Sequence, residues 1–180
     1  MTASLDFFHP RRGEYLPEEL LYAIAGVANR FSGQRVNIEF VYYEVHPEYD
    51  ATEYDALNDL AILETRRPIK FNDRVKPICI ANENMGSLLL SRVAAVGWGQ
   101  TNRNMSDPQL PDTVQFVNQK GDSGGPLVYN IRGTPVLVGI TKSVSVDLGC
   151  GHLLGLSVFT RISSYTKYIN DTAEGDVCFV

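Results

Sequence analysis

The chain has 180 residues, of which 44% are hydrophobic and 21% charged, and it carries a formal net charge of -5. One globular domain with a buried core fits that size and balance. The acidic surplus leaves no basic footprint for nucleic acid, and no apolar run reaches the length of a membrane-spanning helix, so a soluble chain with neither kind of partner is expected.

In chain order, the periodicity is that of β structure almost throughout. Met1-Thr2-Ala3-Ser4-Leu5-Asp6-Phe7-Phe8 has no basic leader and too short an apolar run for a secretory signal, so no signal peptide is expected. Leu20 to Ala25 is the first strand candidate. Val36, Ile38, Phe40 and Tyr42 alternate with Asn37, Glu39 and Val41, giving an extended strand one apolar face before a His46-Pro47 turn. Leu60 to Glu64 is the next strand. From Glu64 to Ser91, a stretch containing Pro68 and Pro77, alternation fades and the chain reads as a crossing between two halves. Strands resume at Arg92 to Val96, Thr113 to Val117, Pro126 to Tyr129, Pro135 to Thr141 and Leu156 to Thr160. Only the end reads as helix, with Ser163 or Ser164 as N-cap and Tyr165, Tyr168 and Ile169 at i, i+3 and i+4. The pairs Arg11-Arg12 and Arg66-Arg67 read as solvated loop residues. Asn104-Met105-Ser106 and Asn170-Asp171-Thr172 are glycosylation sequons, which matter only in the secretory pathway.

Residues Gly121-Asp122-Ser123-Gly124-Gly125-Pro126 are the most informative stretch. A serine hydroxyl is a poor nucleophile until a base takes its proton, and the oxyanion it creates needs fixed backbone donors. Glycine before the serine lets the backbone approach that oxygen unobstructed. Landmarks lie on both sides: His46-Pro47-Glu48-Tyr49, Asn58-Asp59-Leu60-Ala61-Ile62-Leu63, Val96-Gly97-Trp98-Gly99-Gln100, and Val158-Phe159-Thr160-Arg161-Ile162-Ser163. Together they resemble the trypsin-like, or chymotrypsin-like, serine proteases (peptidase S1), over about residues 20 to 170.

The resemblance implies an all-β fold of two Greek-key antiparallel β-barrels, both incomplete here, with a C-terminal helix. It implies one peptidase domain over 1–180: an N-terminal barrel part to about 78, a crossing segment to about 91, then the second barrel and helix over 92–180. The implied chemistry is peptide-bond hydrolysis by acyl transfer, with no cofactor. Ser123 would attack, Gly121 and Ser123 would give the oxyanion-hole N–H groups, Asp59 would orient the base, and Asp122 would hold the turn. A protein or peptide substrate, or a partner protease, and an extracellular location are likewise implied.

Four departures follow from the same comparison. The family's order is His, Asp, Ser. His152 comes after Ser123, His46 sits in the turn too near Asp59, and His9 falls in a following loop. Thr2-Ala3-Ser4-Leu5-Asp6 is the nearest match to the family's Thr-Ala-Ala-His-Cys run, which puts Leu5 where the base belongs, so no catalytic histidine is assignable. The chain starts near that run, without the family's Ile-Val-Gly-Gly start. Asp122 is therefore expected to lack its ammonium partner and to turn toward solvent or another group, since an unpaired buried carboxylate is costly. Between Gln119 and Lys120 the family's intervening helix, Cys-Ala-Gly strand and pocket floor are missing. The substrate edge, Ser-Trp-Gly in the family, falls at Lys142-Ser143-Val144.

Cysteines depart too, with three in the chain. Val93 and Tyr129 occupy two positions that form a disulfide in many relatives. Cys79 resembles the half-cystine that ties the domain to an upstream segment, Cys150 keeps half of another bridge, and Cys178 has no counterpart. Cys150 and His152 lack a second pair at ligand spacing, so no metal site is expected. Three readings remain: an impaired or inactive endopeptidase, a non-catalytic homologue acting as a binding or regulatory module, and a splice or gene-model fragment without function. Open barrels would also leave sheet edges exposed, so self-association is expected, with Cys150 or Cys178 bridging between chains.

Overall fold

The computed structural model describes residues 8–9, 14–17, 20–50, 57–88, 91–100, 109–117, 124–144 and 157–180. They form eleven strands and one short α-helix, and divide into two compact units, one up to Pro77 and one from Ile78.

In the first unit, β1 (Phe8–His9) and β2 (Glu14–Tyr15) make a two-stranded antiparallel ribbon. β3 (Tyr22–Ala25), β4 (Val36–Val45) and β5 (Ala61–Thr65) form an antiparallel sheet in that order. The alternation read from β4 holds at first: Ile38 and Phe40 are buried while Asn37 and Glu39 are exposed. It then breaks, and Tyr42 is exposed. Phe40 faces Thr65 but Tyr42 faces Glu64, so β4 carries one extra residue, Val41, at a β-bulge. One inserted residue reverses which side chains face the core. Val36, the strand's first residue, is also exposed. Leu21, Ala23, Ala25, Ile38, Phe40 and Val75 make the core of this unit, and Tyr43 packs on it while its hydroxyl donates to the Leu16 carbonyl oxygen at 2.8 Å.

The second unit is built on β6 (Cys79–Ile80), β7 (Val93–Gly97), β8 (Gln115–Val117), β9 (Pro126–Ile131), β10 (Thr134–Val144) and β11 (Ser157–Arg161). Antiparallel pairing gives the order β11-β10-β9-β7-β8, and β6 lies parallel against β10. β9 and β10 form a hairpin through Arg132 and Gly133, both at positive φ (52° and 93°), the requirement of a two-residue turn matched to strand twist. Ala81, Val136 and Val138 form the core beneath. Val93 and Tyr129 are direct cross-strand partners and pack against that core as an apolar pair, where many relatives of the resembled family carry a disulfide.

Both sheets are open among the described residues: β3 and β5 end one, β8 and β11 the other. The all-β architecture with a C-terminal helix is as expected, with incomplete barrels. Two details differ. α1 (Thr166–Thr172) begins after a 3-10 turn over Ile162–Ser164, and its N-cap is Tyr165 without a side-chain hydrogen bond, not Ser163 or Ser164. Ser163 is buried and its hydroxyl accepts from Arg161 Nε at 2.8 Å, which takes it away from capping.

The second difference is covalent. Cys178 forms a disulfide with Cys79 across 99 residues of sequence. The expectation that Cys178 bridges between chains is therefore overturned. The tail is zipped onto β6 as well: Ile80 N–H donates to Cys178 O (2.9 Å), Val180 N–H to Ile80 O (3.0 Å) and Asn82 N–H to Val180 O (2.8 Å). Backbone pairing holds the two sulfurs' strands side by side.

Candidate active site

Asp59 stands at the entrance to β5, in the first unit. Leu60 N–H donates to Asn58 O at 2.8 Å, closing a three-residue turn with Asp59 at its centre. Asn58 has φ 61°, a left-handed conformation that Asn tolerates better than most residues, and its side-chain amide donates to Glu48 O at 3.1 Å. Buried Leu60 accepts from His46 N–H at 2.9 Å through its carbonyl. The Asn-Asp-Leu run is thus a kink fastened to the turn that ends β4. Asp59 is half-buried there.

Gly121, Asp122 and Ser123 lie outside the described residues, and so does Leu5. The second half of the serine motif is described. Gly124 has φ 81°; its N–H donates to Thr141 O at 2.7 Å, while Thr141 N–H donates to Gly125 O at 2.8 Å. Two residues of one strand thus oppose a single residue of the other, with glycine left-handed at the first, which is the glycine type of β-bulge. Regular pairing resumes one step later, at Pro126 opposite Ile140. The residue that follows Ser123 is therefore fastened to the middle of β10.

Thr141 is only 2% exposed, and among the described residues its hydroxyl has no hydrogen-bond partner. Sequence reading passed over it. The signal was present, because a Gly-Gly pair shaped as a bulge needs a facing residue on a neighbouring strand. Lys142, Ser143 and Val144 follow on β10. Thr141 faces Phe159 and Ser143 faces Val158, so Lys142 is the extra residue of a further bulge, this one on β10 itself. Val144 faces Ser157. Through Thr141 the structure brings the predicted substrate edge beside Gly124 and Gly125.

Of the histidines, His9 lies on β1 opposite Glu14. His46 is half-buried in the turn after β4, where Nδ1 accepts from Glu48 N–H at 3.2 Å. His152 and Cys150 lie outside the described residues. Among the described residues no group of three or more His, Cys, Asp or Glu is placed to hold a metal ion, and no helix is long and apolar enough to cross a membrane.

The family model described as Trypsin matches residues 21–120, more than half of the chain. This chain belongs to the trypsin family. The matched span takes in Asp59 and stops at Lys120, immediately before Gly121. Similarity extends to vitamin K-dependent protein C of Rattus norvegicus, 30% identical over 164 residues, covering 70% of this chain and 34% of that protein. Venom serine protease 34 of Apis mellifera is 29% identical over 167 residues, covering 76% of this chain and 40% of the relative. CLIP domain-containing serine protease B15 of Anopheles gambiae is 30% identical over 158 residues, covering 69% and 43%. The chain thus spans between 34% and 43% of the length of these relatives.

Proposed function

We propose that this chain is a serine endopeptidase of the trypsin family whose acyl-transfer machinery is kept in part and is catalytically impaired for lack of a base. Ser123 is the nucleophile, Gly121 and Ser123 supply the oxyanion-hole N–H groups, Asp122 shapes the turn, and Asp59 is the acid that a histidine would need. Lys142, Ser143 and Val144 form the edge that meets a protein or peptide substrate. The observation that carries this reading is the fastening of Gly124 and Gly125 to Thr141, which supports a retained nucleophile turn. Impairment rests on Leu5 at the base position. In a comparable triad, losing the base costs about 2 × 10⁶ in turnover, or roughly 8–9 kcal/mol of barrier. A fluorophosphonate probe tests this: no covalent labelling is expected, and labelling that disappears in Ser123→Ala would overturn the impaired reading.

A second reading is a non-catalytic homologue that uses its sheet surfaces to hold a partner protease or its substrate, outside the cell. The Cys79–Cys178 staple and the apolar Val93–Tyr129 pair favour it, because they support a stable fold independent of turnover. Cooperative unfolding with a native-like near-ultraviolet signal from Trp98 is expected. A molten, aggregating chain would remove this reading.

A further inference from the structure

We infer that Asn170 is an attachment site for an N-linked glycan, carried on the solvent face of α1. The inference rests on the extracellular reading above, and two independent observations carry it. The first is the surface: Lys167, Asn170, Asp171 and Glu174 are exposed at i, i+3, i+4 and i+7, while Tyr168, Ile169, Thr172 and Ala173 are half-buried. A branched sugar on Asn170 therefore meets water and displaces nothing from the core. Its neighbour Asp171 is held in an ion pair with Lys167 on the same face.

The second observation is the Cys79–Cys178 disulfide, which closes only a few residues beyond the helix. Structural disulfides form and persist in oxidising compartments, and these are the compartments where the Asn-x-Thr acceptor is read. Asn170-Asp171-Thr172 meets the acceptor pattern, with no proline in the middle position. Local stability also permits access. A helix of seven residues is too short to persist before its tertiary contacts form, and Ala173 at its end is already extended at φ -71° and ψ 128°. The acceptor is thus available as extended chain during synthesis.

The chemistry is a group transfer without redox change. The side-chain nitrogen of Asn170 bonds to the anomeric carbon of a lipid-diphosphate-linked oligosaccharide, and the carbon–oxygen bond to the diphosphate breaks. The lipid diphosphate leaves with the bonding electrons, and the amide proton passes to the cell's transferase.

The test supplies a cleavable leader to the full chain and a membrane fraction that carries the transferase. Transfer precedes folding, so a variant that folds poorly still reports. The expected result is a glycopeptide spanning Asn170 that loses its sugar to peptide N-glycosidase. That glycopeptide should vanish in Asn170→Gln and in Thr172→Ala, persist in Thr172→Ser, and be unaffected by Asn104→Gln. A chain recovered from the lumen with bare Asn170 overturns the inference and leaves the extracellular reading standing. Glycosylation here, with the natural transcript's product confined to the cytosol, would sink the extracellular reading instead.

Discussion

One torsion angle carries much of the proposed site. Gly124 sits at φ 81°, where an L side chain crowds its own backbone, so Gly124→Ala should cost about 1–2 kcal/mol. Urea unfolding would measure it, and a change within error would mean the bulge relaxes freely. Its neighbour across the ladder gives the opposite sign. Thr141 buries a hydroxyl that no described residue pairs, so Thr141→Val removes a desolvation cost without opening a cavity. Stability should rise by about 1 kcal/mol. A loss of stability would show that the hydroxyl is bonded.

At the scale of elements, the disulfide is the largest single constraint. Closing a loop of this order is worth about 4.7 kcal/mol in the chain-entropy model, against a typical 2–4 kcal/mol. Cys178→Ser, or reductant on the parent, should lower the unfolding free energy by an amount in that range, read from urea unfolding. Peptide mapping without reductant should recover Cys79 linked to Cys178. If the two cysteines map to different partners, the zipped tail is wrong. This pairing was not legible in the sequence, because a separation of 99 residues hides the fact that the tail returns to β6. β6 itself has two residues, too few for any period to show. β4 was legible from Asn37 to Phe40, though not at Val36, which is exposed, nor beyond Val41, where a bulge that no alternation rule foretells turned Tyr42 outward. Ser163 was misread as a cap because only the fold reveals that Arg161 takes its hydroxyl. The strand expected over Leu60 to Glu64 was legible and runs over Ala61–Thr65, whereas the turn centred on Asp59 and the left-handed Gly124 were not, because a backbone torsion is not fixed by residue type alone. The bulge that sets Lys142 apart was not, because register belongs to two strands and the sequence shows one at a time.

For the whole molecule, the strands that end the sheets among the described residues are expected to govern behaviour in solution. β8 ends its sheet among the described residues and carries Phe116 at 71% exposure; β3 ends the other, with Tyr22 at 68% and Leu20 at 64% beside it. Unpaired rows of N–H and C=O next to apolar side chains invite another chain to add a strand. Cys79 and Cys178 are already joined, so of the three cysteines Cys150 is left for a bridge between molecules. Self-association should therefore persist in reductant, being driven by the edges, and oxidation should add only a Cys150-linked fraction that Cys150→Ser abolishes. Size-exclusion chromatography with light scattering reads both parts. Replacing Phe116 or Tyr22 by Lys should shift the distribution toward monomer, because a charge at an edge opposes strand addition. A clean monomer of the parent chain, with and without reductant, would mean that residues flanking these strands already cover both edges.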